Sequence, residues 1–116
     1  MSLIVRNSYP STVWVSAMWY HPNCPSGGNW ELAGWWQLAP GEAKPTLLWD
    51  LASLNRYYAF YAEAANGATW SGPYNRLVSR SAYRWCEGIV SNDPITAGFR
   101  LLDIGGSSTF ILNLVP

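Results

Sequence analysis

The stretch Arg56-Tyr57-Tyr58-Ala59-Phe60-Tyr61-Ala62-Glu63-Ala64-Ala65-Asn66-Gly67-Ala68-Thr69-Trp70 decides the fold. Arg56 to Ala64 has the densest apolar content of the chain and reads as a central strand. Asn66-Gly67 is the strongest hairpin signal present, since both residues tolerate positive φ. Thr69-Trp70-Ser71-Gly72-Pro73 then starts the returning arm. A strand, a tight turn and a second strand make this region β.

The same grammar extends outward. Upstream, Trp30 to Pro40 holds Gly34-Trp35-Trp36-Gln37-Leu38-Ala39-Pro40-Gly41, with Trp36 and Leu38 on one face and Trp35 and Gln37 on the other. Pro40-Gly41 is a turn signal, because Pro presets the first corner and Gly takes the positive φ of the next. Thr12 to Tyr20 alternates Val13, Val15, Ala17 and Trp19 with Trp14, Ser16, Met18 and Tyr20, so both faces are largely apolar. Such a strand is covered on both sides, or one aromatic row serves another purpose. Leu3 to Tyr9 is a first strand ending at Pro10, and His21 to Asn29 is a loop. Pro45 to Asp50 is a short strand, and Leu51 to Asn55 a turn or a single helical loop.

Downstream, Tyr74 to Asp93 has the weakest pattern. Asn75 to Trp85 reads as a short helix or an irregular edge segment, and on a helix Arg76, Arg80 and Arg84 would form one solvated basic stripe. Phe99 to Ile104, Gly105-Gly106 and Ser108 to Leu114 read as a last hairpin. Strands at intervals of about ten residues are the signature of a sandwich or small barrel. The expectation is an all-β protein, a small β-sandwich of about 7–8 mostly antiparallel strands, with residues 1–116 forming a single domain.

Composition bounds the function. Seven basic and seven acidic side chains cancel, which leaves no basic patch for a phosphate backbone and argues against nucleic acid as a partner. No apolar run is long enough for a transmembrane segment. Met1 to Asn7 enters a strand-like pattern at once, without the basic start and long apolar stretch of a signal peptide. The expected localisation is left open: secreted or periplasmic if a leader was removed, and otherwise cytoplasmic. Cys24 and Cys86 either pair or remain two thiols, and the loop around Cys24 would gain from a staple. With one histidine they cannot complete a four-ligand zinc site, so neither metal nor cofactor is expected.

Asn7-Ser8, the Gly34 to Gly41 segment, the Tyr57 to Glu63 strand, Trp70-Ser71-Gly72 and Cys86-Glu87 follow one another in a telling order. That order resembles an uncharacterised family of small bacterial domains known only as a domain of unknown function, over about residues 5 to 115. The resemblance implies a bacterial source and a non-catalytic small β domain, and it supplies no activity. Family members often carry cysteines near the places where Arg6, Ala43 and the 74–76 stretch stand here, so the resemblance implies no pairing for Cys24. The aromatic-rich sandwich is also similar in architecture to small membrane-binding cytolysins.

The aromatic inventory carries the functional expectation. Eight Trp and seven Tyr stand against three Phe, whereas a core built only for packing favours Phe, because buried indole N–H and phenol O–H groups need partners. Trp36, Trp49, Tyr58, Phe60 and Trp85 read as core. Trp30, Trp35, Gln37, Trp70, Tyr74 and Asn75 fall at strand ends or turns and are the expected ligand-binding residues, suited to stacking on a sugar ring and reading its hydroxyls. The carboxylates Glu31, Glu42, Asp50, Glu63, Glu87, Asp93 and Asp103 are scattered, Glu63 reads as an ion pair with Arg56 or Arg84, and His21 reads as exposed. Ser71 has no evident base. The expectation is a binding module and not an enzyme, with a glycan or a lipid headgroup as ligand. A membrane-active toxin or defence protein, and a structural domain whose aromatics form a homo-oligomer interface, are the alternatives.

Overall fold

The computed structural model describes residues 2–89 and 95–116, so Asp93 lies outside the described residues. Among them are β1 (Leu3–Asn7), β2 (Val13–Tyr20), β3 (Trp30–Leu38), β4 (Ala43–Leu47), α1 (Leu51–Leu54), β5 (Tyr57–Ala64), β6 (Thr69–Trp70), β7 (Tyr74–Val78), β8 (Tyr83–Cys86), β9 (Ile95–Asp103) and β10 (Phe110–Leu114). One sheet has the order β10-β1-β4, and the other runs β7-β9-β5-β2-β3-β8 with β6 attached to β5. Every pairing is antiparallel except that of β1 with β10. The all-β expectation holds, with β5 central.

The alternation in β2 places the core. Val13, Val15, Ala17 and Trp19 are buried together with Leu3 and Val5 of β1, Leu38 of β3, Tyr58 and Phe60 of β5, and Leu112 and Leu114 of β10. This is the layer between the two sheets, and each fully buried Val or Leu contributes roughly 1.5–3 kcal/mol relative to exposure. The opposite face of the large sheet is also covered. Met18, Leu32, Ala59, Val78, Ala97 and Phe99 form a second cluster, flanked by Trp30, Trp35, Tyr61, Tyr83 and Trp85.

That second cluster draws on all six strands of the path, which requires the sheet to roll up. In a flat sheet β7 and β8 would stand about 24 Å apart, five strand spacings. Instead the Trp85 indole N–H donates to the Leu77 carbonyl at 3.1 Å, and the Trp35 indole N–H donates to Ser79 at 2.8 Å. Arg76 Nε also donates to Glu87 Oε1 at 3.1 Å. The large sheet is thus a curled layer whose two edges are latched by side chains, with the smaller sheet packed on its outside. A bulge assists: Val15 pairs with Trp36 and Ser16 with Gly34, so Trp35 is skipped in the register. Beyond the skip the faces exchange, and Trp30, Leu32 and Trp35 all face the inside of the curl while Trp36 and Leu38 face the sandwich core.

Several expectations are corrected. Ten strands are present among the described residues, more than seven or eight, because the 74–86 region, read as a short helix or an edge segment, forms the two edge strands β7 and β8. Tyr74, Arg76 and Val78 alternate with period two along β7, and the four-residue spacing of Arg76, Arg80 and Arg84 merely spans the turn between edge strands. The last segment is not a hairpin. β9 pairs with β5 and β7, whereas β10 crosses to the other sheet and runs parallel to β1. Its connection is anchored by buried Ile104, which belongs to the sandwich core. The β5–β6 hairpin forms as expected, but only Gly67 takes positive φ, at 92°. The Gly67 N–H donates to Ala64 O at 3.0 Å, a turn closed by a glycine bulge rather than a two-residue Asn-Gly turn.

Candidate functional site

The Tyr20 end of β2, the loop after it and α1 surround a cleft of about 390 Å³. Its apolar walls are Trp19 and Trp49, whose rings meet edge-on at 5.5 Å between centroids. Trp49 is held by a short relay: its indole N–H donates to the Tyr58 hydroxyl at 2.9 Å, and that hydroxyl donates to the Leu51 carbonyl at 2.9 Å. Burial raises the Tyr58 pKa. It therefore stays a phenol, able to accept and donate at once.

The polar side of the cleft is a three-residue network. Glu31 Oε1 accepts from His21 Nδ1 at 2.8 Å, and Glu31 Oε2 accepts from Arg84 Nε at 2.5 Å. Glu31 is buried, and burial pushes its pKa up, but the hydrogen bonds and charges of Arg84 and His21 outweigh that and leave it below the ordinary carboxylate value. The Arg84 guanidinium lies over the Trp19 ring at 5.4 Å from the centroid, fixing its plane. With both oxygens of Glu31 engaged, the cleft holds a carboxylate bridged between a guanidinium and an imidazole beside two indoles.

The loop is positioned covalently. Cys24 and Cys86 are joined in a disulfide with Cα atoms 5.9 Å apart, which resolves the alternatives left open by the sequence. Cys86 stands opposite Glu31 in the β3–β8 register, so the bridge ties the loop to the strand pair that carries the network. Gly28 has φ +80°, and a Cβ there would lie 2.3 Å from Glu87 Cγ, so only glycine lets the loop close over Glu87. Glu87 Oε2 in turn accepts from the Asn29 backbone N–H at 2.8 Å.

A second cleft of about 250 Å³ opens at the same end of the curled sheet, lined by Met18, Ala59 and Leu101 with Trp30, Tyr74 and Arg76 around them. A third, of about 290 Å³, lies at the opposite end between Trp14, Trp35, Glu63 and Arg80.

The six sequence-expected residues do not converge. Trp30 and Tyr74 line the second cleft, with Asn75 beside them on β7. Trp35 lines the third, and Gln37 is exposed further along β3. Trp70 is buried in the sandwich core, with its indole N–H donating to Val115 O at 3.0 Å, and it lines none of the three clefts. Glu63 is not paired with Arg56 or Arg84. Tyr61 donates to it at 3.2 Å, while Arg56 binds Asp103 and Arg84 binds Glu31. His21 is half-buried in the network rather than simply exposed. Trp49, read as core, is half-buried and forms a cleft wall. Sequence reasoning missed His21, Glu31 and Arg84 as a unit because 53 positions separate Glu31 from Arg84 and only β3–β8 pairing joins them. Tyr20-His21 before a loop and Trp30-Glu31 after it was the available signal.

The network is not a metal centre. The ligand atoms of His21, Cys24 and Glu31 lie within 4.8 Å of one another, but the sulfur is in a disulfide and Glu31 is spent on Arg84. Among the described residues, no helix is long and apolar enough to cross a membrane. No protein-family model, curated protein or solved structure matches this chain. The site is accordingly read from its own chemistry.

Proposed function

We propose that this protein is a non-enzymatic binding module that recognises a neutral carbohydrate in the cleft walled by Trp19 and Trp49. The observation that carries this reading is the Glu31 carboxylate held by both His21 and Arg84 beside the half-buried Trp49. An indole edge or face packs against the apolar side of a pyranose, while a fixed carboxylate, guanidinium and imidazole exchange hydrogen bonds with its hydroxyls. Glu31 is the only carboxylate lining that cleft among the described residues, so the paired acids of a glycoside hydrolase are not assembled there.

Titration of intrinsic tryptophan fluorescence across a broad panel of neutral glycans tests the proposal. Saturable quenching or a spectral shift is expected, weakened at least tenfold by Trp49→Ala. Silence across the panel would sink it. A second reading, docking to lipid headgroups, draws on the exposed Tyr57, Tyr74 and Leu101 around the second cleft. It predicts co-sedimentation with phosphatidylcholine–sphingomyelin vesicles, and protein left entirely in the supernatant counts against it.

A further inference from the structure

The first and second clefts are neighbours, and the structure puts them on either side of one rim. Tyr20 lines the first cleft and meets Trp30, a wall of the second, edge-on at 5.7 Å between ring centroids. Leu54 lines the first cleft, and the next residue, Asn55, lines the second. The first cleft, with Trp19, lies toward the sandwich core and the second, with Met18 and Ala59, toward the inside of the curl, and their linings come together at Tyr20–Trp30 and at Leu54–Asn55.

Their chemistry is also matched. In the first, Arg84 is paired with Glu31; in the second, Arg76 is paired with Glu87 at 3.1 Å. Each cleft thus presents aromatic walls and planar polar side chains without an unbalanced charge between its bridged partners. Tyr57 and Tyr74 at the rim of the second are 39% and 42% exposed, leaving ring area for contact. By size, the first cleft sits at the lower end of the range for ligand pockets, roughly 300–1,000 Å³, and the second falls below it. Neither alone is a roomy site.

We propose that the two clefts are subsites of one extended site, and that the ligand is an unbranched neutral oligosaccharide of several rings that crosses the Tyr20–Trp30 rim. This rests on the carbohydrate reading of the first cleft and goes beyond it by specifying a chain rather than a single sugar. The first cleft holds one end, and Trp30, Tyr57 and Tyr74 stack against rings further along. Linking two contacts through one ligand makes the second contact intramolecular, so affinity rises with chain length until both clefts are filled.

The test is a chain-length series. Cello-, malto- and chito-oligosaccharides of one to six units are titrated by calorimetry against the full chain and against Tyr74→Ala and Tyr57→Ala, both at exposed positions. The expected result is at least a tenfold gain in affinity from the shortest bound member to the longer ones in one series. In each variant the ratio of long-chain to short-chain affinity falls toward one. A length-independent affinity in the unaltered protein, or a ratio unchanged in both variants, overturns the extended site while leaving the first cleft as a sugar site. Absence of binding to every member of all three series, in a protein that is folded by circular dichroism, overturns the carbohydrate reading itself and the extended site with it.

Discussion

Removal of the Cys24–Cys86 bridge is the perturbation with the best-defined magnitude. The two cysteines are separated by 62 positions, more than half of the chain. The entropy lost by the unfolded chain on closing such a loop corresponds to about 4 kcal/mol at 25 °C. Unfolding entropy of about 2.1 cal/mol/K per residue converts this into a fall in Tm of about 15–20 °C for a chain of this size. The native loop is otherwise well tied: Gly88 N–H donates to Gly27 O at 3.1 Å and His21 N–H to Asn29 O at 2.7 Å. A Cys24→Ala/Cys86→Ala protein should therefore retain the fold and lose stability mainly through its freer unfolded state. Urea unfolding of this variant, and of the unaltered protein with and without dithiothreitol, measures the difference. A loss below about 1 kcal/mol with unchanged m would refute the reasoning, because the loop would then impose no constraint worth the name. Hydrogen exchange adds a spatial check, with protection reduced first at residues 21–29.

The remaining predictions concern the cleft and the sheet. Tyr58→Phe removes both the acceptor for Trp49 and the donor to Leu51, and should cost about 1–3 kcal/mol in urea unfolding, with a shift in tryptophan emission as the Trp49 wall loosens. Because the folded-state pKa of Glu31 lies below its ordinary value, its network stabilises the protein above the unfolded carboxylate pKa of about 4.3, and that contribution is lost as pH falls through the folded value. Glu31→Gln should flatten this acid limb in a stability–pH profile; an unchanged limb would assign it to other carboxylates. Tyr61 is pushed up to about 12 by burial and by the Glu63 carboxylate, so tyrosinate absorbance from this residue should appear well above the ordinary value of about 10. Folded stability should decline above that ordinary value, and Tyr61→Phe should reduce the late absorbance by this residue's share, since burial raises Tyr58 and Tyr83 as well. Gly98→Ala places a Cβ 2.4 Å from the Gly72 backbone oxygen and should destabilise by more than 1 kcal/mol, with thermal unfolding as the readout.

The sequence by itself determined the local facts. Alternation in Thr12 to Tyr20 assigned Val13, Val15, Ala17 and Trp19 to one face, and the structure buries them together. Pro40-Gly41 makes its turn, with Gly41 at φ +83° and Glu42 N–H donating to Ala39 O at 3.0 Å. Such features depend on neighbours within a few positions, which steric rules and period-two patterning expose directly. The tertiary structure alone decided the rest. The skipped register at Trp35 turned that indole inward, and the latching of β7 to β8 curled the sheet. Crossing of β10 to the other sheet also depended on partners distant in the chain. The cleft belongs to the same class, since Glu31 acquires Arg84 only through β3–β8 pairing and Trp49 becomes a wall only when Tyr58 holds it. Trp70 looked like a surface residue at a turn and is instead sealed by Val115, a contact across 45 positions that no local pattern encodes.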